Sequence, residues 1–226
     1  MTNFCIFYKN LLMSLGEYRR NDIFANKDLL IMAIDQTKQY TYADYLTWTD
    51  GKRFELINGR VVEFPATLSE EHQRISANIL TQIAILFLGK KDRCRLYHAP
   101  FDVRLPLYTE TNDNSILNVL KPDIVVVCDK NKIDRRGCLG APDLIVEVIT
   151  PRTARYDLND KFELYQMAGV KEYWVVFPND KALISFQLMD NGKFDAGTVH
   201  TAENKIHSNL FESFEVDLWN VFENND

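Results

Sequence analysis

The chain has 226 residues, of which 46% are hydrophobic, 26% charged and 12% aromatic; this is globular composition and excludes disordered and fibrous classes. No apolar run reaches the roughly 18–20 residues that cross a bilayer, so no membrane partner is expected. The net charge of −6, from 26 basic and 32 acidic side chains, argues against a protein that coats nucleic acid through broad phosphate contact; any such affinity must come from a local patch.

Residues 1–31 carry apolar stretches at Phe4 to Tyr8 and Leu11 to Leu15 but lack the basic start and small-residue cleavage site of a signal peptide. They are expected to be an extension outside the domain at 32–226, either a misplaced start ahead of Met32 or a loosely attached arm. Thr41 caps a short helix running to Leu46. Arg53 to Ile57 and Arg60 to Phe64 flank Asn58-Gly59, a strong signal for a two-residue hairpin. Ser69 caps a long helix with acids in its first turn and with Ile75, Ile79, Ile83, Leu86 and Phe87 at helical spacing, closed by Gly89. Alternation from Tyr97 to Leu105 predicts one half-buried strand, followed by a loop from Tyr108 to Asn118.

Ile124 to Cys128 and Leu144 to Ile149 are nearly continuous apolar runs, the mark of central strands covered on both faces. A basic loop, Lys130 to Arg136, lies between them. A helix from about Tyr156 to Ala168 ends at Gly169, and Tyr173 to Phe177 makes another buried strand. Ala182 to Met189 and Lys193 to His200 read as a second hairpin around Asp190-Asn191-Gly192. Strand, helix, strand in the middle implies a right-handed crossover between parallel strands. The fold class is α/β, a mixed central sheet flanked by helices. Cys5, Cys94, Cys128 and Cys138 form no CxxC pair and no zinc spacing, so they read as reduced residues of a cytoplasmic protein.

Three placements break the local rules together. Glu147 sits inside an otherwise apolar strand, where a lone carboxylate costs several kcal/mol, about, unless compensated. Asp123 follows Pro122 at the mouth of the neighbouring central strand. Lys161 falls on the inward stripe set by Leu158, Phe162 and Tyr165. Two acids and an amine converging on a sheet suit phosphodiester hydrolysis with Mg²⁺ or Mn²⁺: carboxylates hold a hard cation, and the lysine orients water and offsets transition-state charge. The competing readings are a plain buried ion pair for Glu147 and Lys161, a turn residue for Asp123, and a lysine snorkelling to solvent. The four histidines show no triad-like setting, and neither GxSxG nor a P-loop occurs.

Arg53 to Gly59, Lys121-Pro122-Asp123-Ile124, Ala141 to Pro151, Lys161 to Tyr165 and Gly169 to Trp174 together resemble the Uma family of putative restriction endonucleases, in the PD-(D/E)XK nuclease superfamily. The resemblance covers about Tyr40 to Leu218. It implies a restriction-endonuclease-like core, Asp123 and Glu147 as the two acids, and the Val148 carbonyl as a backbone metal ligand. The superfamily's lysine two residues after the second acid is Ile149 here; Lys161, from the following helix, is expected to replace it. Pro142-Asp143 also spells the motif, but Asp143 lies about 13 Å from Glu147 at strand rise and is read as a turn residue. Glu55 and His72 are further candidates, each carried by the resemblance. Arg152 and Arg155, directly after the Glu147 strand, are candidates for gripping a nucleic-acid backbone. DNA is the expected substrate, and a homodimer is implied by the resemblance, with Phe211 to Phe222 aromatic enough for an interface. The alternative is a nuclease fold without turnover, a binding or regulatory module, favoured by the acidic charge and by Ile149.

Overall fold

Asn58 and Gly59 both take positive φ, 52° and 75°, as the tight turn between two twisted strands requires. They join β1 (Arg53–Ile57) to β2 (Arg60–Phe64) in the register expected, Arg53 opposite Phe64 and Ile57 opposite Arg60. The computed structural model describes residue 35 and residues 37–48, 53–64, 68–88, 94–107, 111–211 and 214–223. The expected extension at 1–31 and the Gly89 stop lie outside the described residues.

Thr41 closes a capping box with Asp44 at the start of α1 (Tyr42–Tyr45), satisfying the first free amides. Ser69 caps α2 (Glu70–Phe87), accepting from the His72 amide; His72, Ile75, Ile79 and Ile83 form its buried face. Further along come β3 (Arg95–His98), β4 (Val103–Arg104), β5 (Val119–Leu120), β6 (Ile124–Val127), β7 (Ile133–Asp134), β8 (Gly137–Leu139) and β9 (Leu144–Val148). A widened helical turn, Tyr156–Asp160, leads into α3 (Lys161–Ala168). Then follow β10 (Glu172–Phe177), β11 (Ala182–Gln187), β12 (Thr198–Thr201), β13 (Lys205–His207), β14 (Glu215–Asp217) and α4 (Leu218–Phe222).

One sheet has the order β2-β1-β5-β4-β8-β7, and a second has β12-β11-β10-β9-β6-β3. In the second sheet β9 and β10 are parallel, with α3 between them in the chain, and the other neighbours are antiparallel. The α/β reading with a mixed central sheet therefore holds. The apolar core fills three layers. Ile57, Val103 and Leu120 of the first sheet meet Val125, Ile145, Tyr173 and Val175 of the second, together with Leu164 and Tyr165 of α3. The other face of the second sheet, Val126, Val146 and Trp174, packs under the isoleucines of α2. α1 covers the outside of the first sheet through Tyr42, Phe54 and Val61. Among the described residues no helix is long and apolar enough to cross a membrane.

Four expectations need correction. The strand expected from Tyr97 to Leu105 is two: β3 pairs with β6 in the second sheet and β4 with β5 and β8 in the first. Pro100 lies between them and, having no N–H, cannot carry a ladder onward. The basic loop is a hairpin, β7 against β8. It turns through Arg135-Arg136 and enters β8 at Gly137, whose φ of 122° and whose 2.1 Å approach of a Cβ to the Asp102 carbonyl oxygen admit only glycine. Cys94 and Cys128 are not both reduced: they form a disulfide, because they extend the β3–β6 register one step beyond Arg95 and Val127. The aromatics after Phe211 do not offer a free face. Phe214 and Phe222 are buried in the core with Phe87 at their side, and only Trp219, 55% exposed, stands out.

Candidate active site

β9 alternates its side chains, so Ile145 and Glu147 face α3 while Val146 and Val148 face α2. Glu147 is thereby forced into the core between the sheets, where Oε1 accepts from Lys161 Nζ at 2.9 Å and from the Tyr165 hydroxyl at 2.8 Å. Asp123 precedes β6, and the register Ile124 opposite Val146 carries it to the same end of the sheet as Glu147. Its Oδ2 accepts from the Val148 amide at 2.8 Å and lies 3.2 Å from His72 Nε2. Asp123 is the more open of the two acids, 12% exposed.

Glu55 reaches the site from the first sheet. Its Oε1 accepts from the Lys121 amide at 2.8 Å, and Oε2 stands 3.2 Å from Lys161 Nζ. Lys161 is pinned a third time by Asp157, at 3.1 Å. One ammonium thus serves three carboxylates, and none of the four side chains exceeds 5% exposure. Burial pushes the carboxyl of Glu147 well above its ordinary range, and Glu55 and Asp157 upward as well, against the pull of the Lys161 charge. Burial works to lower Lys161, but Asp157, Glu147 and Glu55 together hold it well above the usual lysine range. The amine is therefore a fixed cation and a donor; it is not a base. His72 is raised too: burial disfavours its imidazolium, and the hydrogen bond and charge of Asp123 outweigh that.

These groups wall a small cavity of about 40 Å³ that also takes in Lys121, Val148 and Thr153. The Lys121 ammonium is tied to the Tyr45 hydroxyl, to the Phe54 carbonyl and to Asp102. A second cavity, about 340 Å³, adjoins the first through Leu68, His72 and Thr150 and has Arg152 on its wall. Arg155 is exposed and lines neither cavity. Asp143 sits at the far end of β9, bonded to the Cys128 amide and to Lys171, which is the turn-shaping place expected of it.

The sequence reading brought together Asp123, Glu147, Lys161, Glu55 and His72, and the structure assembles all five around one cavity. It missed Asp157, Tyr165 as a hydroxyl donor, and Lys121. Asp157 had a signal: it stands four residues before Lys161, hence on the same helical face. The inward stripe lies one residue off the expected one. Asp157, Lys161, Leu164 and Tyr165 are buried, while Leu158 and Phe162 are only half-buried. The widened turn at Tyr156–Asp160 shifts the phase that a regular helix would have.

The acids on the cavity wall, Glu55, Asp123, Glu147 and Asp157, offer carboxylate oxygens, the donor type that suits a hard divalent cation. Glu55 Oε2 and Asp157 Oδ1 are buried and face the Lys161 ammonium, at 3.2 and 3.1 Å. Among the described residues no three His, Cys, Asp or Glu are grouped to hold a metal ion as they stand. Two acids, one backbone carbonyl and water do not require such a group, since Mg²⁺ keeps several waters.

A mixed sheet with buried acids and an amine gathered at one strand end is the arrangement that the resemblance to restriction-endonuclease-like folds leads one to expect. The Uma2 family model, "Putative restriction endonuclease", matches residues 42–219. The chain belongs to that family. It is similar to the uncharacterized protein slr1290 of Synechocystis sp. (strain ATCC 27184 / PCC 6803 / Kazusa), 24% identical over 178 residues, spanning 77% of this chain and 88% of that protein. Its fold is that of a crystal structure from Anabaena variabilis ATCC 29413 described as a putative nuclease belonging to DUF820. That match has a TM-score of 0.60 at 15% identity, over 80% of this chain and 97% of the other.

Proposed function

We propose that the chain is a divalent-cation-dependent endonuclease that hydrolyses phosphodiester bonds in DNA. The observation that carries this is the buried Lys161 ammonium 2.9 Å from Glu147 Oε1, on the sheet end that also presents Asp123. Asp123, Glu147 and the Val148 carbonyl would hold Mg²⁺ or Mn²⁺. When bound, the cation supplies polarisation of the scissile phosphate and a lowered pKa for its water. Lys161 orients the Glu147 carboxylate, opposes the upward push of burial on it and adds positive charge where the transition state gathers negative charge. Glu55 helps to hold that ammonium in place, and His72 holds Asp123. Arg152, on the wall of the adjoining cavity, would grip the backbone beside the cut, with Arg155 further out; neither reads sequence. Two copies acting together, one for each strand, complete the reading; the Cys94–Cys128 disulfide removes the reduced-cysteine ground for a cytoplasmic setting.

The test is cleavage of plasmid and single-stranded DNA with Mg²⁺ or Mn²⁺ by wild type, Asp123→Ala and Glu147→Gln. Each variant is expected to lose about 10²–10³-fold or more in rate, with the fold retained by circular dichroism. Equal cleavage by wild type and Asp123→Ala would mean that the activity belongs to something else. Mn²⁺ titration by calorimetry separates this reading from a binding module without turnover, which would take up nucleic acid yet bind no cation. RNA offered in parallel decides the substrate, and sedimentation decides the pairing of copies.

A further inference from the structure

We infer that Asp157 is the positioning residue of Lys161, holding the ammonium on one oxygen of Glu147; the inference rests on the nuclease reading and deepens it. Asp157 is 3% exposed, and its Oδ1 stands 3.1 Å from Lys161 Nζ. No hydrogen bond from another group reaches that oxygen, and the group it faces is the ammonium. The rest of the residue is mounted independently. The Tyr173 hydroxyl, from β10, donates to the Asp157 carbonyl at 3.0 Å, and the Asp157 amide donates to the Thr153 carbonyl at 3.0 Å.

Stability does not account for this acid. Lys161 already has Glu147 and Glu55 as partners, and a third buried carboxylate adds like charge where charge is costly. What it adds is direction. An ammonium has three donors, and here they face acids from three elements: β1, β9 and the turn before α3. Lys161 and Tyr165 both donate to Glu147 Oε1, which leaves Oε2 as the oxygen available to a cation. Asp157, four residues back on the lysine's own helical run, draws the ammonium from the helix side and keeps it on Oε1. Without that pull the ammonium swings across the carboxylate and competes for Oε2.

The experiment compares wild type, Asp157→Asn, Asp157→Glu, Lys161→Met and the Asp157→Asn/Lys161→Met double variant. It reads DNA cleavage with Mn²⁺, the melting temperature, and the ¹⁵N-detected ammonium signal of Lys161. Asp157→Asn is expected to lose about 10²-fold in rate, the scale of a small misplacement, with no fall in melting temperature and with the Lys161 signal shifted or broadened. Asp157→Glu regains part of the rate, and the asparagine change adds nothing in the Lys161→Met background. Cleavage by Asp157→Asn at the wild-type rate overturns the inference. So does an unchanged ammonium signal, or a further loss on top of Lys161→Met, since either would have Asp157 acting elsewhere. Should Asp157→Asn not fold, that result assigns Asp157 to stability and also overturns it. If wild type cleaves no nucleic acid, the nuclease reading falls by itself, and the ammonium signal alone decides the positioning.

Discussion

His72 meets Asp123 through Nε2 while its Nδ1 is buried without a hydrogen bond. Its folded-state pKa lies above the ordinary 6.5, with burial opposing the shift and Asp123 overcoming it. A raised histidine contributes stability that is fully present below the unfolded value and is lost as pH rises through the folded one. In EDTA, the unfolding free energy of wild type minus that of His72→Gln should therefore be largest below about pH 6.5 and shrink as the pH rises past the folded value. Denaturant titrations across that range check it, and a difference that is flat with pH would remove the imidazolium from the account. At this scale the sequence was most informative where a residue contradicts its surroundings, as Glu147 does within its apolar strand. Asp157 was harder to read for the opposite reason: it lies in a mixed stretch, Tyr156 to Lys161, where an acid contradicts nothing. Its one signal is the spacing of four to Lys161, which marks a shared face and not which way that face points.

Elements with strong local signals came out as read. The Asn58-Gly59 hairpin and the α2 stripe are specified by turn chemistry and by spacing, which need no knowledge of the rest of the chain. Ile79 is fully buried in the middle of that stripe, so Ile79→Ala should cost about 2–5 kcal/mol, the range for emptying a packed core position. Urea titration measures it, and a loss below about 1 kcal/mol would mean that α2 is not seated on the sheet as described. Elements whose identity depends on distant partners were misread. The run from Tyr97 to Leu105 alternates without a break, yet its two halves pair with different sheets. Which sheet accepts a strand is decided by β5, β6 and β8, and nothing in the run itself records them. The β7–β8 hairpin is hidden in the same way, its residues reading as a basic loop.

The whole molecule is acidic, so nucleic-acid binding must be local. With Arg152 and Arg155 as the phosphate contacts, the logarithm of the DNA affinity should fall with the logarithm of salt at a slope of about −2, and Arg152→Ala should reduce that slope by about 1. Fluorescence anisotropy with a short duplex between low and physiological salt reads both, in Ca²⁺ so that cleavage does not intervene. A slope near −6 would place the grip on a far wider surface. The mixed sheet flanked by helices was legible from the order of apolar runs, because burial on both faces leaves continuous stretches that few other folds need. The three-layer arrangement was not, since β4, β5, β7 and β8 are only two or three residues long and too short to announce themselves.

Glu55 and Glu147 belong to different sheets, and a single ammonium is the polar hinge-pin between them. Prying the first hairpin off the core would strand that charge without one of its counterions, so the acid cluster penalises the very fluctuation that would flood it with solvent. Amide exchange in β1 and β9 should then slow and quicken in step, and Lys161→Met should uncouple the two.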